Sequence, residues 1–223
     1  MLTSENTFRP SAVIFDMDGL MFDTENLTLP LWETAGEPFG YKITRDIALR
    51  LVGISSVRSG ELLRELFGDD FPYETIRGEF RKLVVKEIDK KGVPKKPGLD
   101  YLLERLSAAN IPMAVATSSR KDTAIDLLRK AGVYEKFTAI IGGDDIVNGK
   151  PAPDIFLLAA EKLGHPPSSC AGLEDSPAGL KALKAAGIRS VFIKDTIEPP
   201  QDVIAAVWRS CNDLSEAVEL FNL

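Results

Sequence analysis

The stretch Ala12-Val13-Ile14-Phe15-Asp16-Met17-Asp18-Gly19 decides how this chain reads. Four apolar residues followed at once by two acids and a glycine describe a buried strand that delivers carboxylates to the edge of a sheet. Residues two apart on a strand share a face, so Asp16 and Asp18 are expected to converge on one spot. Two carboxylates that close repel unless a cation, a cationic side chain or a proton intervenes. A carboxylate, with an ordinary pKa of about 3.9, is also a nucleophile that needs no deprotonation near neutral pH. The stretch therefore points to metal-assisted attack by an aspartate. The same spelling also suits a solvated turn, so the rest of the chain has to decide. A calcium loop does not fit. Counted from Asp16, Leu20 and Met21 occupy the fifth and sixth positions, where an EF-hand needs an acid or amide and then a glycine.

At 223 residues the chain can hold an α/β core plus a small insert. Its net charge of −6 disfavours a nucleic-acid backbone as partner. An anionic small molecule stays open, because a local metal or lysine reverses the field. Residues 1–10 lack the basic-then-apolar pattern of a secretory leader. No apolar run approaches the roughly 18 residues of a membrane span. The expectation is a cytoplasmic protein with no nucleic-acid or membrane partner, a monomer with an oligomer left open as the alternative. Cys170 and Cys211 show no ligand spacing and read as reduced core thiols. The single histidine, His165, sits in the turn Leu163-Gly164-His165-Pro166-Pro167, which argues against a histidine-based nucleophilic site.

From residue 97 onward apolar strands alternate with helices. Pro112–Thr117, Thr138–Ile141, Ser169–Leu173 and Ser190–Ile193 read as strands. Helical spacing marks the segments between them, and Gly132, Gly164 and Gly187 close three of the helices. Such alternation implies an α/β fold, a doubly wound parallel sheet with helices on both faces, which binds ligands beyond the carboxyl ends of its strands. Residues 24–95 differ. They carry helical patterns at Asp46–Leu51, Ser59–Phe67 and Tyr73–Asp89 without a convincing strand, and end in the punctuated linker Val93-Pro94-Lys95-Lys96-Pro97-Gly98. The expected organisation is a core of residues 1–23 and 96–223 with an inserted helical cap at 24–95. Inserted after the first strand, that cap would act as a lid.

Each later strand end carries its own polar chemistry. Thr117-Ser118-Ser119 offers hydroxyls and backbone N–H groups that suit an anion such as phosphate, or a simple helix cap. Lys150 lies in Gly149-Lys150-Pro151-Ala152-Pro153-Asp154, where prolines stiffen the backbone around a lysine able to hold phosphate and carboxylate together; a solvated loop lysine is the alternative. Glu174-Asp175-Ser176-Pro177-Ala178-Gly179 follows the next strand. Adjacent acids are hard oxygen ligands suited to Mg²⁺, and Ser176-Pro177 is good helix-start chemistry.

This ordered set resembles the haloacid dehalogenase superfamily, in the subgroup of phosphatases and β-phosphoglucomutase-like enzymes with a helical cap. The resemblance implies a Rossmann-like core and a Mg²⁺-dependent phosphatase acting through an aspartyl-phosphate. By it, Asp16 is the nucleophile and Asp18 the general acid and base. Thr117, Ser118 and Lys150 hold the phosphoryl oxygens. Asp16, Asp18 through its backbone carbonyl, and Asp175 hold Mg²⁺, with Glu174 in or near that shell. The cap residues Thr24, Glu25, Ser55, Ser56 and Arg58 are candidate contacts to a small phosphorylated metabolite, a sugar or nucleoside monophosphate.

Two other readings stay in view. Mutase members carry a His in the helix entering the cap and an Arg in a cap loop. Here Thr28 and Ser56 fall at those positions, with Arg58 close enough to substitute for the Arg, so hydrolysis is the expected outcome and sugar-phosphate isomerisation the alternative. A phosphoacceptor signalling domain would share the aspartate, Thr/Ser and Lys. It lacks a second acid two residues on and an insert of this size, and is the remote alternative. Dehalogenation is disfavoured, because Asp18, Glu174 and Asp175 are all present.

Overall fold

The computed structural model describes residues 7–51, 56–195 and 198–223. The chain divides into two compact units, Met1–Asp23 with Lys95–Leu223, and Thr24–Pro94. Strand β1 (Ala12–Phe15) opens the first. The second holds α1 (Thr24–Gly36), α2 (Arg45–Leu49), α3 (Ser56–Phe67) and α4 (Tyr73–Lys91). Its core gathers Leu29, Trp32, Ile43, Leu63, Phe71 and Ile76. The Trp32 ring stacks on Phe80 with centroids 4.1 Å apart, so Trp32 is spent on packing within its own unit.

The first unit continues with α5 (Leu99–Ala108), β2 (Met113–Ala116), α6 (Lys121–Lys130) and β3 (Ala139–Ile141). There follow α7 (Asp154–Leu163), β4 (Cys170–Glu174), α8 (Pro177–Ala186) and β5 (Arg189–Ile193). The chain ends in α9 (Gln201–Ile204), β6 (Arg209–Cys211) and α10 (Ala217–Leu220). Among the described residues the six strands form one parallel sheet in the order β3-β2-β1-β4-β5-β6. The expected strands fall within a residue or two of the observed ones. The short edge strand β6 lies beyond the last strand read from the sequence.

Every residue of β1, β2 and β4 is buried, as a strand covered on both faces requires. Ala12 and Ile14 share one face with Ala114 and Ala116, against Ile155, Phe156 and Ala159 of α7 and Ala182 and Leu183 of α8. The small strand residues let these helices approach. At Gly172 in β4 a Cβ would collide with Leu183 Cδ2. Strand β1 sits between β2, which leads outward to β3, and β4, which leads the other way. The carboxyl end of β1 is therefore the switch point at which such sheets open a binding crevice. Among the described residues no helix is long and apolar enough to cross a membrane.

Because Leu183 is fully buried and has little room to move, Gly172→Ala is expected to destabilise the protein by about 1–3 kcal/mol through overpacking. Chemical denaturation followed by circular dichroism checks this, and a midpoint equal to that of the unsubstituted protein would refute the close packing.

Candidate active site

The backbone of Asp16 prolongs the β1 ladder by one step, its N–H donating to Leu173 O at 3.0 Å. Regular strand then lapses. Met17 turns fully inward, and Gly19 takes φ +89°, a left-handed conformation that glycine adopts without cost. Asp16 and Asp18 consequently part company. Asp16 is 7% exposed and pairs through Oδ1 with the ammonium of Lys150, while Asp18 is exposed. Its Oδ2 accepts hydrogen bonds from Thr117 Oγ1 at 3.1 Å and Ser119 Oγ at 2.8 Å. The two carboxylates lie close enough for the Asp18 charge to add to the rise of Asp16, yet each has its own donors.

Lys150 is the centre of the buried cluster. Its Nζ also donates to Glu174 Oε1 at 2.7 Å and lies 4.8 Å from the Phe156 ring centroid. Glu174 is wholly buried, and its Oε2 accepts from the Ser176 N–H at 2.7 Å, so both of its oxygens are engaged by this chain's own donors. Gly179, in the first turn of α8, makes room for that carboxylate, since a Cβ there would overlap it. Ser176 caps the same helix, its Oγ accepting from Gly179 N–H at 3.0 Å. Thr117 is fully buried, with its N–H on Ile141 O at 3.0 Å and its Oγ1 accepting from Ser119 N–H at 3.0 Å. Ser118 is exposed in the same loop.

Asp175 completes the group. Its Oδ1 is buried and accepts no hydrogen bond from any described residue. A Cβ on Gly19 would collide with its other oxygen, so only a glycine lets the β1 loop approach it. Asp195, just past β5, crowds the same face of Gly19 and pairs with Lys96 at 2.6 Å. Lys96 also faces Asp23 at 3.6 Å. Neither Asp195 nor Lys96 was singled out in the sequence, although the apolar run Val191-Phe192-Ile193 ending in Lys194-Asp195 carries the same strand-end signature as the other sites. Of the cap candidates, Thr24 and Ser56 open α1 and α3. Arg58 is exposed and pairs along its own helix with Glu61 at 3.1 Å and Glu65 at 2.9 Å. Ser55 and the side chain of Glu25 lie outside the described residues.

The electrostatics ask for more positive charge. Asp16 and Glu174 share Lys150, and Asp175 adds a third acid whose charge reaches Lys96. Burial pushes Asp16 up to about 8 despite the opposing pull of Lys150. Burial, with Asp16, Glu174 and Asp195 adding to it, pushes Asp175 up to about 9. Burial would lower the ammonium of Lys150, yet Asp16 and Glu174 outweigh it and hold the ammonium above its usual range. Among the described residues no three His, Cys, Asp or Glu side chains are grouped so as to hold a metal ion by themselves. The donors are hard oxygens, one of them an orphaned buried carboxylate oxygen, and this fits a divalent oxygen-seeking cation such as Mg²⁺.

The fold and this set of strand-end residues define a class, and the comparisons agree with it. The model of the haloacid dehalogenase-like hydrolase family matches residues 13–193. The chain belongs to that family. It is 33% identical over 184 residues to a phosphorylated carbohydrates phosphatase of Thermotoga maritima, covering 81% of this chain and 83% of the relative. It is 35% identical over 190 residues to a β-phosphoglucomutase of Bacillus subtilis, covering 82% of each. The crystal structure of CbbY from Rhodobacter sphaeroides in complex with phosphate superposes with a TM-score of 0.80 at 27% identity, over 96% of this chain and 100% of that one.

A carboxyl whose pKa is raised on folding binds its proton more tightly in the native than in the unfolded state. Stability contributed this way is present at low pH and is lost as pH rises from about 4 towards the folded value near 9. A cation needs the ionised carboxylate, so its stabilisation grows over the same range. Added Mg²⁺ is expected to raise the melting temperature more at pH 8 than at pH 5.5, and Asp175→Asn to remove most of that increment. Scanning fluorimetry with Mg²⁺ against EDTA checks it; equal increments at both pH values would count against a cation at Asp175.

Proposed function

We propose that this protein is a Mg²⁺-dependent phosphatase that hydrolyses a small phosphorylated metabolite, a sugar phosphate in the first instance, through an aspartyl-phosphate on Asp16. The observation that carries this reading is the separation of the two acids. Asp16 is buried against Lys150, which aims it and opposes the rise that burial imposes on its pKa, and Asp18 is exposed with its own hydroxyl donors. One suits nucleophilic attack, the other proton transfer.

In the first step an Asp16 oxygen bonds to phosphorus, the ester P–O bond breaks, and the Asp18 carboxyl gives its proton to the leaving oxygen. In the second, water attacks phosphorus, its proton passes to Asp18, and the bond to Asp16 breaks. Lys150, the Thr117 hydroxyl and the Ser118 backbone N–H neutralise and orient the transferring phosphoryl oxygens. Asp16, Asp175 and the backbone carbonyl of Asp18 would hold Mg²⁺, which when bound supplies the charge neutralisation on which phosphoryl transfer chiefly depends. Glu174 positions Lys150, each of its oxygens accepting one hydrogen bond from this chain. The helical unit, residues 24–95, supplies the substrate-selecting residues, with Thr24, Glu25, Ser55, Ser56 and Arg58 as candidates. The phosphorylated carbohydrates phosphatase relative favours hydrolysis of a sugar phosphate. A mutase would need to hold a second phosphate, and Thr28 and Ser56 stand where members of that kind carry a His and an Arg.

A panel of phosphorylated metabolites with Mg²⁺, read for released phosphate and run beside β-glucose 1-phosphate isomerisation primed with the bisphosphate, tests the choice. Phosphate release is expected to dominate; faster isomerisation would make the protein a mutase. Asp16→Asn is expected to lower kcat by at least about a thousandfold, and Asp18→Asn by about 10²–10⁴-fold. Full turnover by Asp16→Asn would remove the nucleophile from this account.

A further inference from the structure

The Thr117 hydroxyl is asked to do two things at once. It has a single proton, which it donates to Asp18 Oδ2, and its oxygen accepts from the Ser119 N–H. A phosphoryl oxygen arriving at Thr117 has to take that proton, and Asp18 then loses one of its two donors. The donor that stays is Ser119 Oγ, at 2.8 Å the shorter of the two bonds. Both bonds fall on Oδ2. Oδ1 accepts none from the described residues and is the oxygen left to carry a proton.

We propose that Ser119 is a positioning residue for Asp18, holding Oδ2 while Oδ1 exchanges its proton with the leaving oxygen and then with water. This rests on the phosphatase reading above. Asp18 is exposed and immediately precedes Gly19, whose φ is +89°, so without a holder its carboxyl is free to leave the line of the reaction. Ser119 is well placed to prevent that, because its own backbone is fixed on both sides. Its N–H is tied to Thr117 Oγ1, and its carbonyl accepts from Gly143 N–H at 2.8 Å. Two residues on, Lys121 N–H donates to Asp144 Oδ1 at 2.8 Å, closing the loop onto the segment after β3. The approach is tight, since a Cβ on Gly143 would collide with the Ser118 carbonyl. A hydroxyl presented from so constrained a loop selects one carboxyl orientation. The proton balance is that of the two steps above: Oδ1–H is lost to the departing alkoxide and regained from the attacking water, and Oδ2 stays with Ser119 throughout.

A positioning role has a signature that a loss of folding does not. A departing alkoxide needs the Asp18 proton, whereas an aryl oxide leaves without it. The quantity to measure is kcat/KM, which reports only the steps through formation of the aspartyl-phosphate, for the best alkyl phosphate from the metabolite panel and for 4-nitrophenyl phosphate. Ser119→Ala is expected to lower the alkyl-to-aryl ratio of kcat/KM by about tenfold, and Ser119→Thr, which keeps the hydroxyl, to hold it within about threefold of the wild-type ratio. A ratio in Ser119→Ala within about twofold of wild type would overturn the proposal, as would a Ser119→Thr ratio as low as that of Ser119→Ala. Asp18→Asn separates the two levels. It is expected to lower the ratio further still; if it leaves the ratio unchanged, Asp18 is not the acid and both readings fall, whereas a lowered ratio in Asp18→Asn alone defeats only the role of Ser119.

Discussion

The buried ion cluster of Lys150 with Asp16 and Glu174 is the interaction on which the rest of the site depends. Its members come from the ends of β1 and β4 and from the loop after β3, 134 and 24 residues from Lys150 in sequence. Charges this far from water are tolerated only when paired and hydrogen-bonded. Removing one partner would leave the others uncompensated, a loss of the order of 3–5 kcal/mol. The cluster thus forces three strand ends into register at the switch point of the sheet, and the same constraint reaches outward. Glu174 can be there only because Gly179 leaves space for it and the Ser176 N–H takes its second oxygen. The start of α8 is fixed by the same carboxylate that steadies the lysine.

Much of this was legible in the sequence because it follows from local rules. An apolar run ending in charged or hydroxylated residues gave Asp16, Thr117, Lys150 and Glu174-Asp175, and the alternation of periods gave a parallel sheet with strands close to those observed. What was not legible is non-local or contrary to propensity. Helix α1 contains Pro30, which ordinarily signals a break. Strand β6 is three residues long and only half-buried, too short to show a period. That Asp16 is buried on Lys150 while Asp18 is exposed on hydroxyls is something a two-residue spacing does not reveal. The bond from Ser119 to Asp18 spans 101 residues, and nothing near either residue announces it.

In the proposed mechanism the division of work between the acids follows from their surroundings rather than their type. Asp16 is locked by an ammonium in a buried pocket, which fixes its direction. Asp18 is held by neutral hydroxyls at the rim, where its proton can come and go. A nucleophile profits from rigidity and an acid/base from access, so exchanging the two environments would defeat both roles.

The strand-end acids are also sorted by their counter-charges. Asp16 and Glu174 have Lys150, Asp195 has Lys96, and Asp145, in the loop after β3, has Lys121 at 3.1 Å. Lys96 pairs with Asp195, the acid that shares the face of Gly19 with Asp175, and faces Asp23 as well. Asp175 is left, among the described residues, as the carboxylate with a buried oxygen that no protein donor reaches. Leaving one buried oxygen bare costs stability, and a bound ligand is one way in which that cost is offset. A cation bound there would neutralise Asp175 and at the same time offset the excess negative charge that would otherwise repel a phosphate from Asp16. In the proposed mechanism, affinity for the cation and tolerance of an anionic substrate thus have one origin, the positive charge that the fold withholds from Asp175.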